Sequence, residues 1–265
     1  MKKILLGLLM SVLLMTFLTI PTLADEVNQD KDYSIYVNRT QNVIMVYEVD
    51  ALGNETLAKV FTCSCGRQGH GTPTGTYKTD AYYDWHLMVD GTYARYCVRF
   101  NNKILFHSVP YIKKSKSALE WDQYNLLGEK ASLGCVRMAV CDAKWIYDNC
   151  KAGTKVTVYD DKPGDPILYK PATLKIPEDS PYKGWDPTDD DPTNPWNIIR
   201  TVYGGEIPSE YLTVSGNDEA IEKFNHILYS DMYPDLKYAY GYNKDALYMH
   251  YISFGKKEGR IAVFE

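Results

Sequence analysis

The chain has 265 residues, 45% of them hydrophobic, and 29 Lys and Arg against 34 Asp and Glu leave a formal net charge of -5. That length holds one domain of ordinary size plus a smaller module. The acidic balance and the lack of a basic cluster argue against nucleic acid as a partner, and the 23 tyrosines suit strand packing as well as wall or carbohydrate contact.

Residues 1–24 carry Lys2 and Lys3, an apolar run from Ile4 to Ile20, then Pro21 and Thr22-Leu23-Ala24. This is the layout of a secretory signal peptide cleaved after Ala24. An uncleaved membrane anchor is the runner-up, because the run is near the lower length limit for a span. On either reading the protein works outside the cytoplasmic membrane. Residues 25–32 read as a short linker.

From Tyr33 the hydrophobic period is two: Tyr33, Ile35 and Val37 alternate with polar partners, and residues 43–49 follow a turn at 38–42. Leu52-Gly53-Asn54 turns again before a strand at 56–65, so two hairpins predict an antiparallel sheet at the start. A glycine-rich loop at 66–75 contains His70 and Thr72-Pro73-Thr74-Gly75, a turn in which proline presets the second position. It reads as an active-site rim or as a plain connection. Strands are expected at 76–83, 85–89, 92–100 and 103–109, with an Asp90-Gly91 hairpin and an Asn101-Asn102 turn. His107 then ends a central strand.

Residues 111–130 form a longer irregular segment with Lys113, Lys114, Lys116, Trp121 and Tyr124, read as a lid or as a solvated loop. Asp142 is the expected cap of a short helix that ends before Gly153, and 154–159 returns as a strand. Residues 161–210, with Asp186-Pro187-Thr188-Asp189-Asp190-Asp191-Pro192, read as a solvated Pro/Asp-rich linker. Calcium binding is disfavoured there, since the spaced ligands and glycine of a loop site are missing. Residues 211–265 read as a small helical module. Ile221, Phe224, Leu228 and Met232 recur at helical spacing after Asn217-Asp218, and Leu247, Tyr248, Tyr251 and Phe254 do so after Asn243, ending at Gly255.

The chemistry gathers around Ser132-Leu133-Gly134-Cys135-Val136-Arg137. Only a thiolate is a good nucleophile, so Cys135 needs a neighbouring base or cation, for which His107 and Arg137 are candidates. Gly134 lets the backbone bend sharply, and the Gly134 and Cys135 amides form a nest for a developing oxyanion. The same residues also read as one small cysteine among six and a core histidine. With Cys135 free, Cys63, Cys65, Cys97, Cys141 and Cys150 leave an odd remainder. Cys141 and Cys150 lie about 13 Å apart along the expected helix, beyond a disulfide's reach, and a pairing of Cys97 with Cys63 or Cys65 across strands is conceivable. No cysteine pair has zinc-site spacing.

Ile104-Leu105-Phe106-His107-Ser108-Val109-Pro110, Leu127-Gly128 and Ala131-Ser132-Leu133-Gly134-Cys135-Val136-Arg137-Met138 together resemble the catalytic signature of the L,D-transpeptidases. Thr72-Pro73-Thr74-Gly75, Asp142-Ala143-Lys144-Trp145-Ile146-Tyr147 and Gly153-Thr154-Lys155-Val156 resemble the family's turn, post-nucleophile helix and closing strand. The resemblance covers residues 33–160. The chain departs at Leu133, where the family more often has histidine, so the site is read as altered with its nucleophile, first histidine and arginine present. His70 or His86 as a replacement imidazole is disfavoured.

The resemblance implies a mainly β catalytic domain at 33–160, a mixed sandwich or barrel-like sheet with one short helix after the nucleophile. It implies a bacterial cell-wall enzyme, active in peptidoglycan synthesis and cell shape, that cleaves between the third stem residue, a diamino acid, and D-alanine. A second stem's side-chain amine then takes the acyl group, giving a 3-3 crosslink. Cys135 would be the nucleophile and His107 the base, oriented by the Ser108 carbonyl. Gly134 and Cys135 would hold the oxyanion, Arg137 would fix the loop or favour the thiolate, and Ser132 would contact substrate or brace the turn. No metal or cofactor is called for. The partners are donor and acceptor stems, with the wall contacted through the tail, and a monomer is expected. The same thioester given to water makes an L,D-carboxypeptidase, and given to a protein amine an anchoring enzyme. A wall-binding protein that has lost activity is the non-enzymatic rival. The tail's Met232-Tyr233-Pro234-Asp235-Leu236, Tyr240-Gly241, His250-Tyr251 and Glu258-Gly259-Arg260 resemble a short module appended to secreted bacterial enzymes.

Overall fold

Alternation of apolar and polar residues sets the first hairpins. In the computed structural model, which describes residues 31–197 and 223–264 except 257, β1 (Asp32–Asn38), β2 (Val43–Val49) and β3 (Glu55–Thr62) pair antiparallel in sequence order. At the β2–β3 turn, Asp50 Oδ1 accepts the Leu52 and Asn54 amides and Gly53 takes φ +85°, a conformation that favours glycine. β4 (Gly75–Lys78) and β9 (Lys155–Tyr159) complete this sheet in the order β3-β2-β1-β9-β4. The β1–β9 pair is parallel. The early sheet, expected as antiparallel, is therefore mixed, because the strand after the helix inserts between the first hairpin and β4.

The second sheet has the order β5-β6-β7-β8, formed by β5 (Ala81–Leu87), β6 (Tyr93–Asn101), β7 (Ile104–Ser108) and β8 (Val136–Met138). The expected strand over 76–83 divides at Thr79-Asp80, where the chain changes sheet. Thr79 binds the Lys151 carbonyl through its hydroxyl and the Thr154 carbonyl through its amide, while the Asp80 amide turns to the Arg99 carbonyl. The main core lies between the sheets, with Ile35, Ile44, Phe61, Val98, Phe106 and Ile146 at its centre. Two short helices belong to this body, α1 (Trp121–Tyr124) and α2 (Val140–Asn149).

Asp142 does not cap α2. Ala139 stands at the cap with no side-chain acceptor. Instead Asp186 Oδ2 accepts the Val140 amide at 3.0 Å and Thr188 Oγ1 accepts the Cys141 amide at 3.2 Å, which satisfies two otherwise orphaned donors. The stretch expected as a solvated linker is thus packed as far as the structure describes it. Leu174, Ile176 and Trp196 join Val109, Tyr111 and Tyr124 in one apolar cluster. Asp186 and Asp189 are fully buried, and Asp189 pairs with Arg95. These carboxylates serve as helix cap and ion pair, so their charge does not keep the segment in water.

The tail contains α3 (His226–Met232), α4 (Pro234–Tyr240), α5 (Lys244–His250) and a π-helical turn, Tyr251–Gly255. The cap of α3 is Asn225, which accepts the Leu228 amide, and Phe224 is an extended residue bridged to Phe264, outside the expected helix. Val43, Met45, Tyr47 and Leu57 pack against Phe224, Leu236, Leu247 and Tyr248. β2 is consequently covered on both faces, which explains its almost continuous apolar run, and the tail lies against this first sheet. No helix among the described residues is long and apolar enough to cross a membrane. The leader at 1–24, the linker at 25–30, and the expected features at 198–222, including Asn217-Asp218 and Ile221, lie outside the described residues.

All six cysteines are free. Cys97 packs with Ala94 and Leu105, in a different cluster from Cys63 and Cys65, so the expected cross-strand disulfide is not formed. Cys63 and Cys65 instead have their sulfurs 3.9 Å apart.

Candidate active site

β7 and β8 run parallel with Phe106 opposite Val136 and His107 opposite Arg137. Side chains two apart on a strand share a face, so His107, Arg137 and Cys135, one step before β8, emerge together. Phe106, Val136 and Met138 take the other face into the core. A cavity of about 390 Å3 opens over the polar face, lined by His107, Cys135, Arg137, Asp90, Lys103 and Leu133 among others.

The loop carrying Cys135 is held from the opposite side by residues 64–67. The Ala131 and Ser132 amides both donate to the Cys65 carbonyl, the Arg67 amide donates to the Ser132 carbonyl, and Ser64 and Arg137 exchange both backbone hydrogen bonds. Ser132 is fully buried. Its hydroxyl accepts the Gly134 amide at 3.1 Å and donates to the Cys135 carbonyl at 2.5 Å, so it braces the turn. The Gly134 amide, expected to face an oxyanion, is thereby engaged within the loop. Gly134 has φ +120°, and a Cβ there would meet Ile104 Cδ1 at 3.2 Å. The Thr72 hydroxyl accepts the Gly66 amide at 2.9 Å and donates to the Gly134 carbonyl at 2.8 Å. The glycine-rich turn therefore works as a brace behind Cys135.

His107 is 1% exposed, and its Nδ1 lies 2.6 Å from the Ser108 carbonyl oxygen. A carbonyl only accepts, so the ring proton sits on Nδ1 and Nε2 carries the lone pair. Nε2 is buried without a hydrogen-bond partner. Burial first, then the Arg137 charge, push the imidazole pKa down to about 3, against the opposing pull of the Ser108 carbonyl. Ser108 itself is tied into the sheet, its hydroxyl accepting the Arg95 amide and donating to the Val109 carbonyl.

The half-buried Cys135 thiol donates to the Lys103 carbonyl at 3.7 Å. Burial raises its pKa, while a hydrogen bond from the Leu105 amide and the Arg137 charge lower it; burial prevails. The thiol and the imidazole that line this cavity are accordingly both neutral at rest. Arg137 donates through Nη1 to Gln123 Oε1 at 2.9 Å, and it is 7% exposed with Nε buried and unpartnered. Among the described residues no group of three or more His, Cys, Asp or Glu side chains is placed to hold a metal ion.

The ordered site motifs have a match outside this chain: residues 32–158 fit the family model of YkuD, described as the L,D-transpeptidase catalytic domain. The match spans just under half of the chain. YciB of Bacillus subtilis (strain 168), which carries the name of an L,D-transpeptidase, is 37% identical over 91 residues, 33% of this chain and 46% of that protein. An L,D-transpeptidase structure from Mycobacterium tuberculosis H37Rv is 23% identical with a TM-score of 0.39, over 49% of this chain and 58% of that one. The one from Mycobacterium smegmatis is 18% identical with a TM-score of 0.40, over 49% and 59%. The chain thus spans about half the length of these relatives.

Within the matched segment, Leu133 lies at the cavity rim, 36% exposed. His86 also lines the cavity, stacked on Tyr83 with ring centroids 4.5 Å apart, and His70 is not among the lining residues. Sequence reasoning missed Gln123, Asp90 as a charge facing the site, and the Lys103 carbonyl. Asp90 carried only a hairpin signal, and the Gln123 contact crosses 14 residues from an irregular segment, where no periodicity marks it. Residues 111–130, read as a lid or loop, are anchored by the buried Tyr111, Leu119, Tyr124 and Leu127, and α1 delivers Gln123 to Arg137.

Proposed function

We propose that this protein is an extracytoplasmic, monomeric L,D-transpeptidase of the cell wall that acts on peptidoglycan stem peptides, with Cys135 as nucleophile and His107 as general base. The observation that carries the reading is the His107 Nδ1 to Ser108 carbonyl bond. It leaves the basic Nε2 unpartnered on a residue of the cavity that Cys135 also lines.

The thiol leaves the Lys103 carbonyl and passes its proton to Nε2 as sulfur attacks the carbonyl of the third stem residue. A neutral imidazole suits this role, because a base must be unprotonated before it acts. The Cys135 amide meets the oxyanion, and the Gly134 amide joins it only by leaving Ser132. Collapse expels the D-alanine amine, which takes the Nε2 proton, and leaves a thioester on Cys135. An acceptor side-chain amine attacks the thioester and gives its proton to Nε2, and that proton returns to the departing sulfur. The new amide bond is the 3-3 crosslink.

The test is mass spectrometry of the purified protein with a disaccharide-tetrapeptide, beside Cys135→Ala and His107→Ala. A crosslinked dimer absent from both variants supports transpeptidation and both roles. Tripeptide without dimer replaces the reading with L,D-carboxypeptidation, and transfer only to an added protein amine with an anchoring enzyme. No consumption of stem or sacculi, with wall binding that survives Cys135→Ala, replaces it with a wall-binding protein.

A further inference from the structure

Arg137 presents a cation that has no counter-ion among the described residues. It is 7% exposed, its Nε is buried with no hydrogen-bond partner, and its nearest acceptor is the neutral Gln123 Oε1 on Nη1. No carboxylate among the described residues forms an ion pair with it; the Asp90 and Glu120 charges act on it only from farther away. Asp90 is already engaged by the Thr92 amide and hydroxyl. A buried charge of this kind is costly unless something completes it. The Arg137 backbone pairs in both directions with Ser64, its Nη1 is tied to Gln123, and the residue borders the cavity that Cys135 also lines. Of the cations in that lining, Arg99 is paired with Asp80 at 2.8 Å, which leaves Lys103 and Arg137 against Asp90, so the cavity favours an anion.

The spacing selects which anion. Cys135 and Arg137 stand two residues apart on one face, about 6.6 Å along the strand. In a tetrapeptide stem the terminal carboxylate carbon is three bonds from the scissile carbonyl carbon, at most about 4 Å away. A scissile carbonyl seated at the Cys135 sulfur therefore brings that carboxylate within reach of the guanidinium. We propose that Arg137 binds the free C-terminal carboxylate of the donor stem, and that the site selects donors whose scissile bond is followed by one residue ending in a free acid. Gln123 is a positioning residue that turns the guanidinium fork toward it. The inference rests on the stem-peptide reading of the site and assigns Arg137 a substrate contact in place of a loop contact.

The experiment compares two donors that differ in one group: a disaccharide-tetrapeptide with a free terminal carboxylate, and the same stem ending in a carboxamide. Release of D-alanine or D-alaninamide is followed for the purified protein and for Arg137→Gln and Arg137→Lys, and binding of both stems is measured calorimetrically on Cys135→Ala with and without Arg137→Gln. The parent protein should prefer the acid by about 10- to 100-fold in kcat/KM, the range for a hydrogen-bonded charge. Arg137→Gln should bring the ratio to within a few-fold of one, and Arg137→Lys should keep part of it. A general loss of fold lowers both substrates together and leaves the ratio unchanged, so the ratio separates recognition from structural damage. Equal use of acid and amide by the parent protein, or a ratio that survives Arg137→Gln, overturns the inference while leaving transpeptidation standing. Acid-selective binding that needs Arg137, without turnover of either stem, upholds the inference and overturns the reaction. Neither turnover nor acid-selective binding overturns it as well.

Discussion

The Thr72 hydroxyl donates to the Gly134 carbonyl at 2.8 Å, across 62 residues of chain, and so couples the glycine-rich turn to the residue before the nucleophile. Because the same oxygen accepts the Gly66 amide, Thr72→Val strands a buried donor and a buried acceptor. Each buried orphan costs about 1–3 kcal/mol. Urea unfolding should show a loss of about that size, and thioester formation should slow, whereas Thr72→Ser should retain both.

Gly134→Ala should be worse than the loss of one methyl's worth of space. At φ +120° an L side chain is strained by about 1–3 kcal/mol, and its Cβ would press on Ile104 Cδ1 at 3.2 Å. Trimming Ile104 to Val relieves the contact but not the backbone. Calorimetric melting of the double variant should therefore recover only part of the stability lost.

The neutral resting pair has a readable pH signature. With the Cys135 thiol raised above its ordinary value of 9.0, iodoacetamide labelling of Cys135 should keep accelerating past pH 9, with no thiolate plateau near neutrality. A labelling plateau below pH 8 would show a thiolate-imidazolium pair instead. The His107 pKa of about 3 should keep the base competent well below pH 6.5, with no loss of kcat/KM centred there.

Stability carries the matching sign. An unfolded histidine takes up a proton as pH falls through 6.5, while folded His107 stays neutral until about 3. The stabilisation it brings is full above pH 6.5 and is lost as pH falls from 6.5 toward 3. Between those limits, urea midpoints of His107→Gln should fall less steeply with decreasing pH than those of the parent.

Asp189→Ala leaves Arg95 buried without its partner. Removal of one member of a buried pair costs about 3–5 kcal/mol, and thermal melts should show it. Replacing both residues together, Arg95→Met with Asp189→Leu, should restore most of the loss.

That Cys135, His107 and Arg137 meet at one cavity, and most of the strands, were legible because each rests on local chemistry or a period-two pattern that the chain carries within a few residues. β8 was not, since three residues, Val136–Met138, are too short for a period and sit inside the catalytic motif. The caps of α2 were missed for another reason: the Val140 amide is satisfied 46 residues downstream by Asp186, and proline-aspartate composition looks the same whether its carboxylates face water or serve the fold. Local reading placed the cap at Asp142, where the residue type is right and the helix has already begun.

That distant cap also orders events in time. A chain synthesised from its N-terminus has completed both His107 and Cys135 while the acceptor for the Val140 amide, and the partner of Arg95 94 positions further on, are still to be made. Until Asp186 and Asp189 arrive, α2 lacks its first-turn acceptors and β6 carries an uncompensated buried cation. The stretch that holds His107 and Cys135 thus completes its packing only with a segment that follows it, and a truncation before Asp186 removes the acceptor of the Val140 amide and the partner of Arg95 together.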